Sequence, residues 1–423
     1  MKEKYKIAFG AATTPQKIFV FGTLTLLAYT VITFFFTGGR SFYMLLHPDT
    51  QDTMMDFFNS IYDANFLNPY ADKGNIYPAI CLLYYRFCGN FMNPEFSTSF
   101  QWRNDQWGLI TCALILAFTC IIIYTLLKPK EIKSLVDRYF YIVLITGTVP
   151  FWYCYERGNI ILQALMFLLV FIRFYKIDNK FLRELALICL AIATAIKIYP
   201  VFFGLLLIKN KMWKESLRAV IYGIIFFFLP FIVFGGLDAI KLMVENIFAT
   251  DAKMKIFGFG YKVNLSNTLA FLSKLTGIEL TVSRTFCFVF VFILGGTVFL
   301  LSKETWKLEA VLGAAVILIA GFSYTYTLLY MVIPLVTYFE SRSERGFIDY
   351  IYMILFVCMF APFSFGDYDF FGIDPDAFYR LGLTTTISSL ALVALLCLLA
   401  IDTLYPYFRK VIFKNKTKAE LPA

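Results

Sequence analysis

The chain has 423 residues, 59% of them hydrophobic and only 16% charged, with 38 Lys/Arg, 29 Asp/Glu and a single histidine. That balance excludes an ordinary soluble globular domain, where about a quarter of the residues are charged. The lone histidine, His47, argues against a His-based metal site or a Ser-His-Asp triad. The net charge of +9 reads as membrane topology rather than as affinity for nucleic acid.

Apolar runs of near membrane-spanning length recur along the whole chain, which predicts a polytopic all-α membrane protein. Spans are expected near 18–36, 107–127, 139–155, 159–172, 184–198, 200–208, 219–235, 285–302, 308–322, 324–339, 347–363 and 381–401, about twelve in all. The first is too long for a signal-peptide core and lacks a small-residue cleavage site, so it reads as an uncleaved helix. The fifth and sixth are short because Tyr199-Pro200 must break or kink a helix. No long polar linker divides the chain, so residues 1–423 read as one integral membrane domain. The nine cysteines show no CxxC pair and read as small packing residues.

Placing both termini in the cytoplasm assigns 25 Lys/Arg and 11 Asp/Glu to the inner segments. The three long outer loops, 37–106, 236–284 and 363–380, then hold 11 Lys/Arg and 15 Asp/Glu. This is the positive-inside bias. Two cations fit neither group: Arg157 in "YERGN" and Lys197 in "AIKIYP", both in tight outer hairpins. A membrane-edge cation without a long loop around it is a functional candidate.

Loop 37–106 carries Asp49, Asp52, Asp56 and Asp63 at spacings that stack on one side of a helix. Its amphipathic stretches predict helices lying on the outer leaflet, with Phe57, Phe58, Tyr62, Tyr84 and Tyr85 as interfacial anchors. Asp63 and Asp72 read as solvated. Asp56, between Met55 and Phe57, would be partly desolvated and suits a general base. Loop 236–284 sets Lys253, Lys255 and Lys262 around a glycine-aromatic turn, as suits either a phosphate or anionic lipid headgroups. Loop 363–380 holds Asp367, Asp369, Asp374 and Asp376, which read first as a solvated acidic loop. Carboxylates to take an acceptor proton, beside cations to hold a phosphate leaving group, make the chemistry of glycosyl transfer from a lipid-phosphate sugar. No GxGxxG or P-loop context points to a cytosolic sugar nucleotide.

"MDFFNSIYDANF" followed by "NIYPAICLLY" resembles the first outer loop of the GT-C glycosyltransferases, most closely glycosyltransferase family 87. "YERGNIILQALMFLLVF" resembles the Gly-x-Asn segment that opens a helix in that family, although "ERGN" stands where "GQxN" is commoner. "AIKIYP" resembles its K-x-x-P segment, and "VNLSNTLAF" a later Asn/Ser motif. The likeness runs over roughly residues 20–280. It implies a GT-C fold, an inverting transfer and a polyprenyl-phosphate-sugar donor, with Asp56 as catalytic base. Asp49, Asp52, Tyr77, Arg157, Asn159, Lys197, Lys255, Lys262, Asn264 and Ser266 are the expected substrate-binding residues. Arg157 is expected to pair with Glu156 or meet the donor phosphate; Asp49 or Asp52 would orient the acceptor or act on Asp56 by like-charge repulsion. No cofactor is required, because the cations replace a metal; Asp49/Asp52 and Asp367/Asp369 are the pairs that would take a divalent ion. The expected partners are the lipid-linked donor, a glycan or glycolipid acceptor and the bilayer, with no nucleic acid. The expected location is a bacterial plasma membrane, active site outward. The competing readings are a lipid-linked glycan flippase and an O-antigen ligase or polymerase-like enzyme.

Overall fold

A computed structural model describes residues 13–39, 42, 50–128, 135–253, 262–265, 269, 272–273, 276–280, 283–319, 323–341, 346–363 and 383–419. Asp49, Lys255, Ser266 and the four aspartates of loop 363–380 lie outside them.

The protein is an all-helical polytopic membrane protein. Helix α1 (Thr14–Phe36) starts at a capping box, in which Thr13 and Gln16 satisfy each other's backbone N–H groups. The first outer loop carries α2 (Met55–Ala64), α3 (Pro69–Lys73), α4 (Ala79–Gly89) and α5 (Ser99–Asn104). The bundle resumes with α6 (Gln106–Leu127), α7 (Leu135–Thr146), α8 (Val149–Arg157), α9 (Ile161–Phe174) and α10 (Lys180–Ile196). A 3-10 turn (Tyr199–Gly204) leads to α11 (Leu205–Lys209) and α12 (Trp213–Phe228). Then come α13 (Leu237–Lys253), α14 (Arg284–Leu301), α15 (Thr305–Ile319), α16 (Val332–Ser341), α17 (Phe347–Phe360) and α18 (Leu383–Ala419). Among the described residues, four segments are long and apolar enough to cross a membrane alone: Thr14–Phe36, Gln106–Leu127, Trp213–Phe234 and Thr384–Phe408. Their outer faces carry bare apolar side chains such as Phe35, Phe118 and Ile224, as lipid contact demands.

Two expected spans and one expected loop come out differently. The helix expected over 139–155 is two helices, α7 and α8, parted at Gly147-Thr148: Thr148 is extended, and Pro150 has no N–H to continue the ladder. The helix expected over 324–339 begins as a 3-10 segment, Thr325–Met331, before α16. The loop expected over 236–284 contains the 17-residue α13.

The first loop is part of the core. Phe57, Phe58 and Tyr85 are fully buried, and Tyr62 and Tyr84 pack against the same cluster. The expectation that these five rings anchor the loop at the lipid interface is therefore wrong: they pack on protein. Tyr70 stacks on Phe231 with centroids 5.6 Å apart. Asn246 of α13 donates to the carbonyls of Tyr70 (2.8 Å) and Asn75 (3.1 Å), fastening the second outer region onto the first. Arg86 closes the loop by donating to the carbonyls of Ala64 and Phe66 at 2.8 and 2.9 Å. The Asp63 carboxyl accepts from Asn75 at 3.2 Å, so it is not the solvated group the sequence suggested; burial pushes its pKa up, partly offset by Asn75 and Lys73.

At the other end of the bundle, buried Lys307 contacts Asp402 of α18 at 2.5 Å and Glu304 at 3.2 Å. Tyr352 of α17 donates to the same Asp402 carboxylate at 2.9 Å, so one polar cluster ties three helices. Removing one partner leaves charge buried without compensation. Lys307→Ala is expected to destabilise the protein by about 3 kcal/mol, while the double variant Lys307→Met/Asp402→Leu recovers most of that. Unfolding midpoints in a fixed detergent check both.

Candidate active site

Asp56 stands in the first turn of α2. The turn before it is unusual, because Met54 adopts a left-handed backbone (φ 58°), which is rare for a residue with a long side chain. Its N–H donates to the Glu156 carbonyl at 2.6 Å, so the C-terminus of α8 holds that conformation in place. Asp52, Asp56 and Asp63 therefore do not share one helix face. Asp52 lies in a separate 3-10 turn (Thr50–Asp52), and only Asp56 and Asp63 are on α2.

Helix α8 ends at Gly158, which is left-handed at φ 64°. A Cβ there would meet the Phe57 Cβ at 2.8 Å. Glycine is required twice over, for the helix stop and for the close approach of α2. This turn aims its two neighbours at Asp56. Arg157 Nη2 donates to Asp56 Oδ1 at 2.5 Å, and Asn159 Nδ2 donates to Asp56 Oδ2 at 2.7 Å. The other guanidinium nitrogen pairs with the Asp52 carboxylate and its carbonyl. Arg157 thus pairs with Asp52 and Asp56 rather than with the neighbouring Glu156. Burial works against its charge, but Asp56 and Asp52 outweigh that and push its pKa up.

Lys197 lies just past the end of α10, where Pro200 follows in the chain. Its Nζ stands 4.4 Å from the centre of the Tyr77 ring and within electrostatic reach of Asp56. Among the described residues it has no ion-pair partner. The Tyr77 backbone is pinned by Asn75 Oδ1 at 2.8 Å and by the Tyr70 hydroxyl at 3.0 Å. Burial, reinforced by Asp56, holds the Tyr77 phenol well above its usual pKa, which keeps it protonated beside Asn159.

The site contains two residues that sequence reading missed. Tyr326 lies within electrostatic reach of Asp56 and Tyr77, and its ring stacks on Tyr153 with centroids 5.9 Å apart. The signal was the alternation "SYTYT" at the head of an expected span, which resists a simple apolar helix. Lys262 and Asn264 are buried against the chain just before it, through a Lys262–Tyr324 bridge and a Val263 N–H bond to the Ser323 carbonyl at 2.6 Å. Among the described residues no group of three or more His, Cys, Asp or Glu is placed to hold a metal ion.

Residues far apart in the chain, at 52–56, 77, 153–159, 197 and 326, thus meet around one carboxylate. The profile of glycosyltransferase family 87 matches residues 104–328. The chain belongs to glycosyltransferase family 87. It is a membrane glycosyltransferase. The match takes in Arg157, Asn159, Lys197 and Tyr326, and it starts at the very end of the first outer loop, so Asp56 lies outside it. No curated protein and no solved structure matches the chain.

Gly158→Ala forces a side chain into the Phe57 contact and a left-handed backbone. It is expected to separate Arg157 and Asn159 from Asp56 and to lower transferase activity at least tenfold, with about 1–3 kcal/mol of lost stability. Activity and unfolding midpoint measured on the same preparation check this.

Proposed function

We propose that this family 87 enzyme moves a hexose from a polyprenyl-phosphate sugar to a glycan or lipid-linked acceptor at the outer face of a bacterial plasma membrane. In this reading residues 1–423 form one GT-C-type unit with both termini cytoplasmic. The observation that carries it is the division of labour among the cations. Arg157 is committed to the carboxylates, whereas Lys197 beside Asp56 is left for an anion.

The proposed reaction is a single displacement. Asp56 takes the proton of the acceptor hydroxyl as its oxygen bonds to the sugar C1. The C1–O bond to phosphate breaks, its electron pair leaves with the phosphate, and the anomeric centre inverts. Arg157 and Asn159 each use one donor on Asp56 and fix the carboxylate plane, while further lone pairs remain to receive the proton. Pairing with Arg157 and Asn159 holds the Asp56 carboxylate in one orientation, which positions it for the acceptor proton. Lys197 faces the negative charge that develops on the phosphate. The Tyr153–Tyr326 pair and Tyr77 offer the flat apolar faces on which a hexose ring can lie.

Two measurements test this. Asp56→Asn, which keeps the shape of the side chain, is expected to lower kcat by about 10²–10⁴-fold; transfer near the wild-type rate would sink the assignment. Lys197→Ala is expected to lower kcat/KM for the lipid donor by about 10²–10³-fold, with acceptor KM little changed. Unaltered donor kinetics would remove Lys197 from the phosphate site.

A further inference from the structure

Helix α9 begins beside Asn159 at the active site and ends at Phe174, roughly 20 Å away for its length. At that far end lies a separate cavity of about 590 Å³. Leu127, Leu169 and Ile172 form part of its apolar wall. Its polar lining is not absorbed by the transferase chemistry. Glu309, from the first turns of α15, is 1% exposed and lines the cavity; Thr337 bonds its carboxyl, while Oε2 has no hydrogen-bond partner among the described residues. A buried carboxyl oxygen without a donor is costly, and a charged donor on a ligand in the cavity would satisfy it.

The cations around it are consistent with such a ligand. Arg173 is spent: it bonds Glu340 at 2.6 Å and the carbonyls of Leu126 and Leu127 at 2.6 and 2.8 Å. Lys176 and Lys303 also line the cavity, are exposed, and have no ion-pair partner among the described residues. Lys176 and Glu309 are within electrostatic reach of each other, so one small molecule can touch both. Glu304 and Glu340 also line the cavity but are paired with Lys307 and Arg173, so two lysines at the mouth and the buried Glu309 carboxyl call for a ligand with an anion at one end and a charged donor at the other.

We infer that this cavity is a second binding site, for a phosphate ester carrying a primary ammonium: phosphate on Lys176 and Lys303, ammonium on Glu309. Phosphatidylethanolamine in the membrane and soluble phosphoethanolamine share that chemistry. The apolar wall formed by Leu127, Leu169 and Ile172 suits the lipid form, whose chains would lie along it.

The test uses the full-length, delipidated protein in detergent and measures binding by native mass spectrometry. The probes are lysophosphatidylethanolamine, soluble phosphoethanolamine, and lysophosphatidylcholine, whose quaternary ammonium has no N–H to donate. Lysophosphatidylethanolamine is expected to bind at least fivefold more tightly than the choline lipid. Lys176→Ala/Lys303→Ala changes only exposed side chains and is expected to weaken binding about tenfold. Glu309→Gln is expected to erase the preference for ethanolamine over choline. Equal binding of the soluble ester keeps the chemistry and assigns it to a soluble ligand. Equal affinity for the ethanolamine and choline lipids in the wild type, or undiminished binding in the double lysine variant, overturns the proposal. Asp56→Asn is the independent control: it leaves this binding unchanged, so failure here and failure of the proposed transferase mechanism are told apart.

Discussion

The contact on which the candidate site depends is the one between the C-terminus of α8 and the N-terminus of α2. Gly158 lets the two chains approach, the Met54 N–H bond to the Glu156 carbonyl locks the approach, and Arg157 and Asn159 then reach the same carboxylate. Each part requires the others. Without the glycine the backbones clash; without the backbone bond the left-handed Met54 has nothing to hold it; without the pairing, Asp52 and Asp56 are like charges at close quarters.

That arrangement also explains why the first outer loop is so rich in aromatic residues. A catalytic carboxylate on a loose surface loop would sample many positions. Here Phe57, Phe58 and Tyr85 bury their rings in the protein, and Tyr70 and Asn75 are gripped from the side by Phe231 and Asn246. Fully burying one such ring contributes on the order of 2–3 kcal/mol, enough to make the loop a fixed wall of the site. The lipid-facing apolar residues are a different set, on α1, α6, α12 and α14. The protein therefore uses its phenylalanines in two ways, as solvent for lipid outside and as mortar for the loop inside.

Helix α9 joins the two polar ends of the molecule. Its first N–H donates to Asn159, which in turn bonds Asp56, and its last turn carries Arg173, which ties α9 to α6 and α16 through two carbonyls and Glu340. Polar groups at both ends and an apolar middle are what a membrane-spanning rod requires.

Much of this was legible in the chain itself. Hydropathy revealed the helices, and charge bookkeeping singled out Arg157 and Lys197 as the two cations with no topological role, the two that come together near Asp56. Composition decides such things because the bilayer is a strong and uniform solvent: it demands apolar runs and leaves a misplaced charge conspicuous. What the chain alone left open depends on which backbones approach one another. Whether Phe57 faces lipid or protein, whether Arg157 meets Glu156 or Asp56, and whether Tyr326 belongs to a plain span or to the site are matters of contact between segments some hundred residues apart or more. Side-chain periodicity is a local signal and carries no record of such contacts; the left-handed turns at Met54 and Gly158 and the break at Thr148 settle them, and only the tertiary structure displays those.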